Sequence, residues 1–284
     1  MSLATRFAPS PTGYLHRGHA FSALTAWSAA HAAGGRFVLR IEDIDAGRCR
    51  PEYEAAIAED LAWLGLDWER PVRRQSEHMA DYQAALDRLR GRGLAYRCFR
   101  TRKEVAEAAA SAPHEAERAP FTSEACDPGE EAALLKEGRP FAWRLSMAKA
   151  RELLGPAFEA LSFEEEGDGP AGERGRVAAR PELAGDIVLA RKDVGVAYHL
   201  AVVVDDALQA VTHIIRGQDL FEATGVQRLL QTLLELPQPV YRHHRLLTGP
   251  DGRRFAKRDR AETLREIRAS GVNAAKLRAE LGFP

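Results

Sequence analysis

Apolar residues recur along this chain at two different spacings, and the switches between them mark its elements. Residues 3–7 (LATRF) read as a short strand. From about Ala20, the residues Phe21, Leu24, Trp27 and Ala30 return every three or so positions, which predicts a helix ended by Gly34-Gly35. RFVLRIE then alternates, with Phe37, Leu39 and Ile41 on one face and Arg40 and Glu42 on the other, as a strand does. Pro51 can open a second helix that carries Tyr53, Ile57, Leu61 and Leu64 on one face and stops at Gly65. Ser76 can cap a third, running to about Arg90 before Gly91 and Gly93. Strand, helix, strand, helix, helix predicts the first half of a parallel α/β sheet.

The middle of the chain breaks this pattern. EVAEAAASAPHEAERAP is biased to Ala and Glu, and EEEGDGPAGERGRVAARPELAGD to Gly, Pro and charge. The expected organisation is therefore residues 1–96 as the first half of a sheet domain and 97–185 as an inserted α+β domain with at least one mobile loop. Residues 186–284 would form the second half, with a short helical tail. DIVLARKDVGVAYHLAVVVDD is a near-continuous apolar run suited to a sheet buried on both faces. VTHIIRG predicts another strand and Phe221 to Leu236 another helix.

Composition narrows the class. At 284 residues, 45% hydrophobic and 29% charged, the chain can bury a sizeable core like any ordinary globular protein. It contains no run of eighteen apolar residues and no basic-then-apolar leader, so a cytoplasmic protein with no membrane contact is expected. Three dispersed cysteines, Cys49, Cys98 and Cys126, argue against a disulfide framework and for a reducing compartment. A net charge of −1 leaves any nucleic-acid surface to a local patch.

Chemistry concentrates at two places. The first is the junction RFAPSPTGYLHRGHA, where a strand passes through prolines and a glycine into a helix. Such a junction offers free backbone N–H groups and the positive end of a helix dipole to an anion. Gly13-x-x-x-x-Gly18-His19 has phosphate-loop spacing, but His19 stands where lysine is needed and Ala20 where a hydroxyl is, which excludes a P-loop NTPase. His16 and His19 can donate to phosphate oxygens; alone, they could equally be surface residues beside a tight turn. The second place is DGRRFAKRDRAETL, where Lys257, one of only six lysines against 34 arginines, sits among Arg253, Arg254, Arg258 and Arg260. It suits a pyrophosphate clamp, or else a solvated basic loop.

Together the two places resemble the signatures of the class I aminoacyl-tRNA synthetases. HRGH has Arg17 in a usually apolar place, and RFAKR has Ala256 where Ser is expected. RFAPSPTGYLH, RIEDID, AYHLAVVVDD and IIRGQDL are similar, in order, to the glutamyl branch of that class. The resemblance implies a Rossmann-type α/β catalytic domain with ATP, accompanied by Mg2+, as co-substrate between the two signatures. It implies His16, Gly18, His19 and Lys257 as catalytic residues, and Pro9, His16, His19, Arg254, Lys257 and Arg258 at the nucleotide. It also implies Arg6, Ala8, Ser10, Glu42, Tyr198 and Arg216 around glutamate, with the arginines on its carboxylates and Glu42 on its ammonium. Arg6 and Glu42 could instead simply pair across adjacent strands, and His199 reads as structural.

Two departures separate the branches. Val202 stands where full glutamyl-tRNA synthetases have Asn, and Gln218-Asp219-Leu220 where they have Glu-Glu-Trp. Both resemble the short branch that glutamylates queuosine in tRNA(Asp), and the expected length leaves no room for a helical anticodon-binding domain. A monomer that acts on L-glutamate, ATP and queuosine-bearing tRNA(Asp) is expected. The alternatives are a truncated enzyme charging tRNA(Glu) and an inactive tRNA-binding relative. That branch often carries zinc in the insertion, but Cys98 and Cys126, even with His114, do not make a tetrahedral set, so no metal is expected. In YRHHRLL, His243 and His244 would face opposite ways in a strand, which argues against a shared metal.

Overall fold

The computed structural model describes residues 2–101, 104–105, 121–123, 125–191, 195–247 and 262–284. In chain order come β1 (Ala4–Phe7), α1 (Arg17–Ala32), β2 (Arg36–Ile41), α2 (Pro51–Trp63) and β3 (Glu69–Arg74), the strands forming a parallel sheet ordered β1-β2-β3. The elements α3 (Met79–Gly91), β4 (Ala95–Cys98), α4 (Pro128–Lys136), β5 (Ala142–Leu145), α5 (Met147–Leu154) and α6 (Pro156–Glu159) follow. Next come β6 (Ser162–Glu165), β7 (Gly175–Ala178), β8 (Val188–Arg191), α7 (Tyr198–Leu208), β9 (His213–Gly217), α8 (Ala223–Leu233), β10 (Val240–His244), α9 (Leu264–Ala269) and α10 (Ala274–Glu280).

A second sheet has the order β7-β6-β10-β9, parallel except for the β6–β7 hairpin. Its β9 edge meets β1: Thr212 N donates to Ala4 O at 3.0 Å, and Ala4 N to Thr212 Oγ1 at 2.8 Å. The two sheets thus run edge to edge as a Rossmann-type array with a seam between β1 and β9. Helices cover both faces, since Ile214 packs into one core and Ile215 into the other. β4, β5 and β8 form a separate antiparallel sheet. Strands β6 and β7 lie within 97–185 yet join the sheet of β9 and β10.

The structure corrects several sequence expectations. The first helix starts at Arg17, not near Ala20, because His16 caps it; the two signature histidines therefore occupy its N-cap and first turn. It lies on the sheet through Ala20, Ala23, Ala26 and Ala30, small enough for Thr5 Oγ1 to reach the Ala26 carbonyl at 2.9 Å. Strand β3 has no sequence signal, since ERPVRR is polar and holds a proline, as an edge strand can. In β2 the predicted polar face is itself buried, with Arg40 fully enclosed. Ser76 caps no helix; its N–H and hydroxyl both donate to Asp43. The run read as sheet splits: among its described residues only Val188–Arg191 is a strand, and YHLAVVVDDAL is helix α7, with Leu200 to Asp206 all buried. A helix enclosed on all sides has no polar stripe, so its period is illegible.

Candidate active site

A cleft of about 700 Å³ opens at the carboxyl ends of β1 and β9, where the seam divides the sheets. Ligand crevices of open α/β sheets lie at such switch points. Arg6, Ala8, Pro9, Ser10, His16, Gly18, His19, Glu42, Tyr198 and Arg216 all line it. Lys257, Arg254 and Arg258 lie outside the described residues. That segment is flanked at the cleft on both sides: Leu247 lines it, and Thr263 forms a backbone bridge with His16.

The signature histidines are fixed as a capping box. His16 Nδ1 accepts from Gly18 N at 3.1 Å, and His19 Nδ1 accepts from His16 N at 3.1 Å. Each neutral ring therefore carries its proton on Nε2, as a donor. A Cβ on Gly18 would meet His16 Cε1 at 3.0 Å, so a side chain there would displace the ring that caps the helix. Arg17 faces away from the cleft and pairs with Glu280 of α10 at 2.6 Å.

A buried ion network orients the other side. Arg6 Nε donates to Asp206 at 3.2 Å, Arg40 Nη1 to the same oxygen at 2.8 Å, and Arg40 Nη2 to Glu42 at 3.2 Å. Arg6 and Glu42 thus do not pair with each other; Arg40 and Asp206 link them. Burial alone would raise the Asp206 carboxyl, but Arg6 and Arg40 overcome it and hold it below the ordinary range. At Glu42 burial wins over Arg40 and Arg6 and lifts the carboxyl, so an added cation would be welcome there.

Arg216 differs from its neighbours. Its three nitrogens donate to His243, Gln227 and Thr224 at 3.1, 2.8 and 2.7 Å. Among the described residues no carboxylate lies within ion-pair distance of it. A buried cation with neutral partners is poised for an anion. His199 does not line the cleft; burial and then the charge of Arg216 push it down to about 4, leaving it neutral.

The sequence matches tRNA synthetases class I (E and Q), catalytic domain, over residues 2–158 and 162–281. The chain belongs to this family. It is a ligase of the aminoacyl-tRNA synthetase type. Among its relatives, a glutamyl-Q tRNA(Asp) synthetase of Rhodobacter capsulatus is 48% identical over 99% of this chain and 100% of that protein. A glutamate–tRNA ligase of Prochlorococcus marinus is 36% identical over 96% of this chain, which spans 56% of that protein. A crystal structure of a glutamate tRNA ligase from Elizabethkingia meningosepticum, in complex with its amino acid, matches 91% of this chain and 52% of its own. Its TM-score is 0.74 at 28% identity.

Residues not expected in the site also line the cleft, Ser22 and, beyond the roles considered above, Asp219 and His244 among them. Ser22 and His244 meet at 2.9 Å; His244 Nδ1 faces the Arg245 carbonyl, so Nε2 accepts the serine proton. His243 and His244 do point opposite ways, His243 into the core. Gln218 donates to the carbonyls of Asp168 and Gly169 at 2.8 and 3.2 Å, tying β9's end to the β6–β7 loop. Cys98 is buried on β4 and Cys126 is half-buried before α4; His114 lies outside the described residues. Among the described residues, no three His, Cys, Asp or Glu are grouped to hold a metal ion. None of the described helices is long and apolar enough to cross a membrane.

Proposed function

We propose that this protein activates L-glutamate with ATP, without tRNA, and transfers the glutamyl group to the queuosine base of tRNA(Asp). The observation that carries the first half is Arg216, a buried guanidinium with only neutral partners, in the same cleft as the donor-fixed histidines. Arg6 and Arg216 take the carboxylates of glutamate, Glu42 takes the ammonium, and Ser10 and Tyr198 add hydroxyls beside Ala8. A carboxylate oxygen attacks the α-phosphorus, the bond to the leaving pyrophosphate breaks, and glutamyl-adenylate forms. His16 and His19 donate Nε2–H to the developing phosphate charge beside Pro9. Lys257, with Arg254 and Arg258, balances the departing pyrophosphate. Magnesium would arrive with the nucleotide. A hydroxyl of the queuosine cyclopentene-diol then attacks the glutamyl carbonyl, AMP leaves, and the hydroxyl proton passes to solvent.

The choice of RNA rests on Val202 and Gln218-Asp219-Leu220, and on a relative of that activity matched along its whole length. The test is transfer of labelled glutamate to tRNA(Glu), to queuosine-bearing tRNA(Asp) and to tRNA(Asp) lacking queuosine. The expected result is label on the queuosine-bearing RNA alone, retained after removal of its 3′ end. Label on tRNA(Glu) would make this a glutamate–tRNA ligase instead. Label on none of the three, with no glutamate-dependent ATP–pyrophosphate exchange, would leave a tRNA-binding relative without catalysis.

A further inference from the structure

Behind Arg216 stands a line of buried side chains from three neighbouring strands. In the β9–β10 ladder Arg216 lies directly opposite His243, and Glu165 ends the adjacent β6. Exposure is 4% for Arg216, 1% for His243 and 2% for Glu165. Glu165 Oε2 meets His243 Nδ1 at 2.5 Å, while its Oε1 accepts the backbone N–H groups of His243 and Gly167, each at 2.8 Å. An arginine only donates, so His243 Nε2 accepts from Arg216 with its lone pair, and the ring proton sits on Nδ1 against Glu165.

Resting on the reading that Arg216 binds a carboxylate of glutamate, we propose that Glu165 and His243 are positioning residues that set glutamate affinity. They hold Arg216 through a neutral imidazole. A carboxylate placed directly on Arg216 would fix it equally well, but would also cancel its charge and compete with the substrate for its donors. The imidazole supplies an acceptor without that cancellation, and the compensating anion stays one ring further back, where its pull on Arg216 is weaker. Other groups agree with a neutral ring. Burial, helped by Arg216 and Arg6, holds His243 below its ordinary value against the pull of Glu165. Glu165 is held low by the side-chain and backbone N–H groups of His243, although burial opposes this. Gln227 and Thr224, which take the other two guanidinium nitrogens, are neutral as well.

Glu165→Gln tests the relay because it is isosteric and touches no substrate. Its amide oxygen stays with the two backbone N–H groups, so its NH2 faces His243 Nδ1. That reverses the tautomer and sets an Nε2–H against the Nε–H of Arg216. In glutamate-dependent ATP–pyrophosphate exchange, the variant is expected to raise the KM for glutamate about tenfold, with the KM for ATP and kcat within about twofold. Imidazole 15N resonances, read without substrate, are expected to show the proton on Nδ1 in the wild type and on Nε2 in the variant. His243→Gln, whose amide oxygen can replace Nε2 as acceptor, is expected to keep more glutamate affinity than His243→Leu. An unchanged glutamate KM in Glu165→Gln, an equal loss for both substrates, or an unchanged tautomer would overturn the proposal. So would a His243→Gln no better than His243→Leu. A wild type without glutamate-dependent exchange would instead refute the glutamate reading, and the 15N tautomers would still decide the relay.

Discussion

Asp60 lies on the inner side of α2 with neither carboxylate oxygen hydrogen-bonded, and its nearest cation, Arg268 of α9, stands 3.9 Å away. Burial lifts this carboxyl up to about 6, against Arg268 and Arg265 and with help from Glu59. A folded-state value above the unfolded one means that the folded protein takes the proton more readily. The contribution of this group to stability is therefore full below the ordinary carboxylate value and is lost as pH rises through about 6. Asp60→Asn is expected to be more stable than wild type near pH 8, by on the order of 1–2 kcal/mol, and to lose that advantage at acid pH. Urea unfolding at the two pH values reads this directly, and a variant less stable at both would show that the charge is not the cost. The same scale marks what could be read in advance. Arg6, Ser10, Glu42, Tyr198 and Arg216 are legible from the resemblance, and all five line one cleft. The contacts of Asp206 with Arg6, and of His243 with Arg216 and Glu165, are created only by folding: Arg6 and Asp206 stand 200 residues apart.

Among the elements, α1 and α2 were legible from apolar residues at helical spacing, and β9 from a short apolar run buried on both faces. Helix α7 was misread for the opposite reason: Val202, Val203 and Val204 favour a strand intrinsically, and enclosure on every side removes the helical stripe. Helix α9 has more local support than its six residues suggest. Thr263 Oγ1 accepts from Glu266 N at 3.2 Å, Glu266 Oε2 accepts from Thr263 N at 2.8 Å, and Leu264 N donates to the Leu15 carbonyl at 2.8 Å. This box closes the chain just after the basic segment and sets Thr263 against His16. Thr263→Ala is expected to cost about 1 kcal/mol, so that the amides of residues 264–269 exchange roughly fivefold faster, with Thr263→Ser close to wild type. Equal exchange in all three proteins would mean that the backbone bridge alone holds this helix.

Across the whole molecule, the seam between β1 and β9 is both the place where the ladders stop and the position of the cleft. The strand pairs on either side are laddered, while β1 and β9 lie side by side with hydrogen bonds between Ala4 and Thr212 near their amino-terminal ends. Arg6 from β1 and Arg216 from β9 both line the cleft. A ligand that engages both arginines would replace the missing ladder and tie the two sheets together. Binding to the folded state alone stabilises by about 2.7 kcal/mol at a hundred times the dissociation constant. For a chain of this size that is a rise of roughly 4–5 °C in the unfolding midpoint. Thermal scans with glutamate plus a non-hydrolysable ATP analogue are expected to show it. Glutamine, which cannot neutralise a second guanidinium, is expected to give a smaller shift, and Arg216→Ala is expected to abolish the difference between the two. Equal shifts for glutamate and glutamine in the wild type would mean that the seam is closed by the nucleotide, and that Arg216 does not discriminate charge.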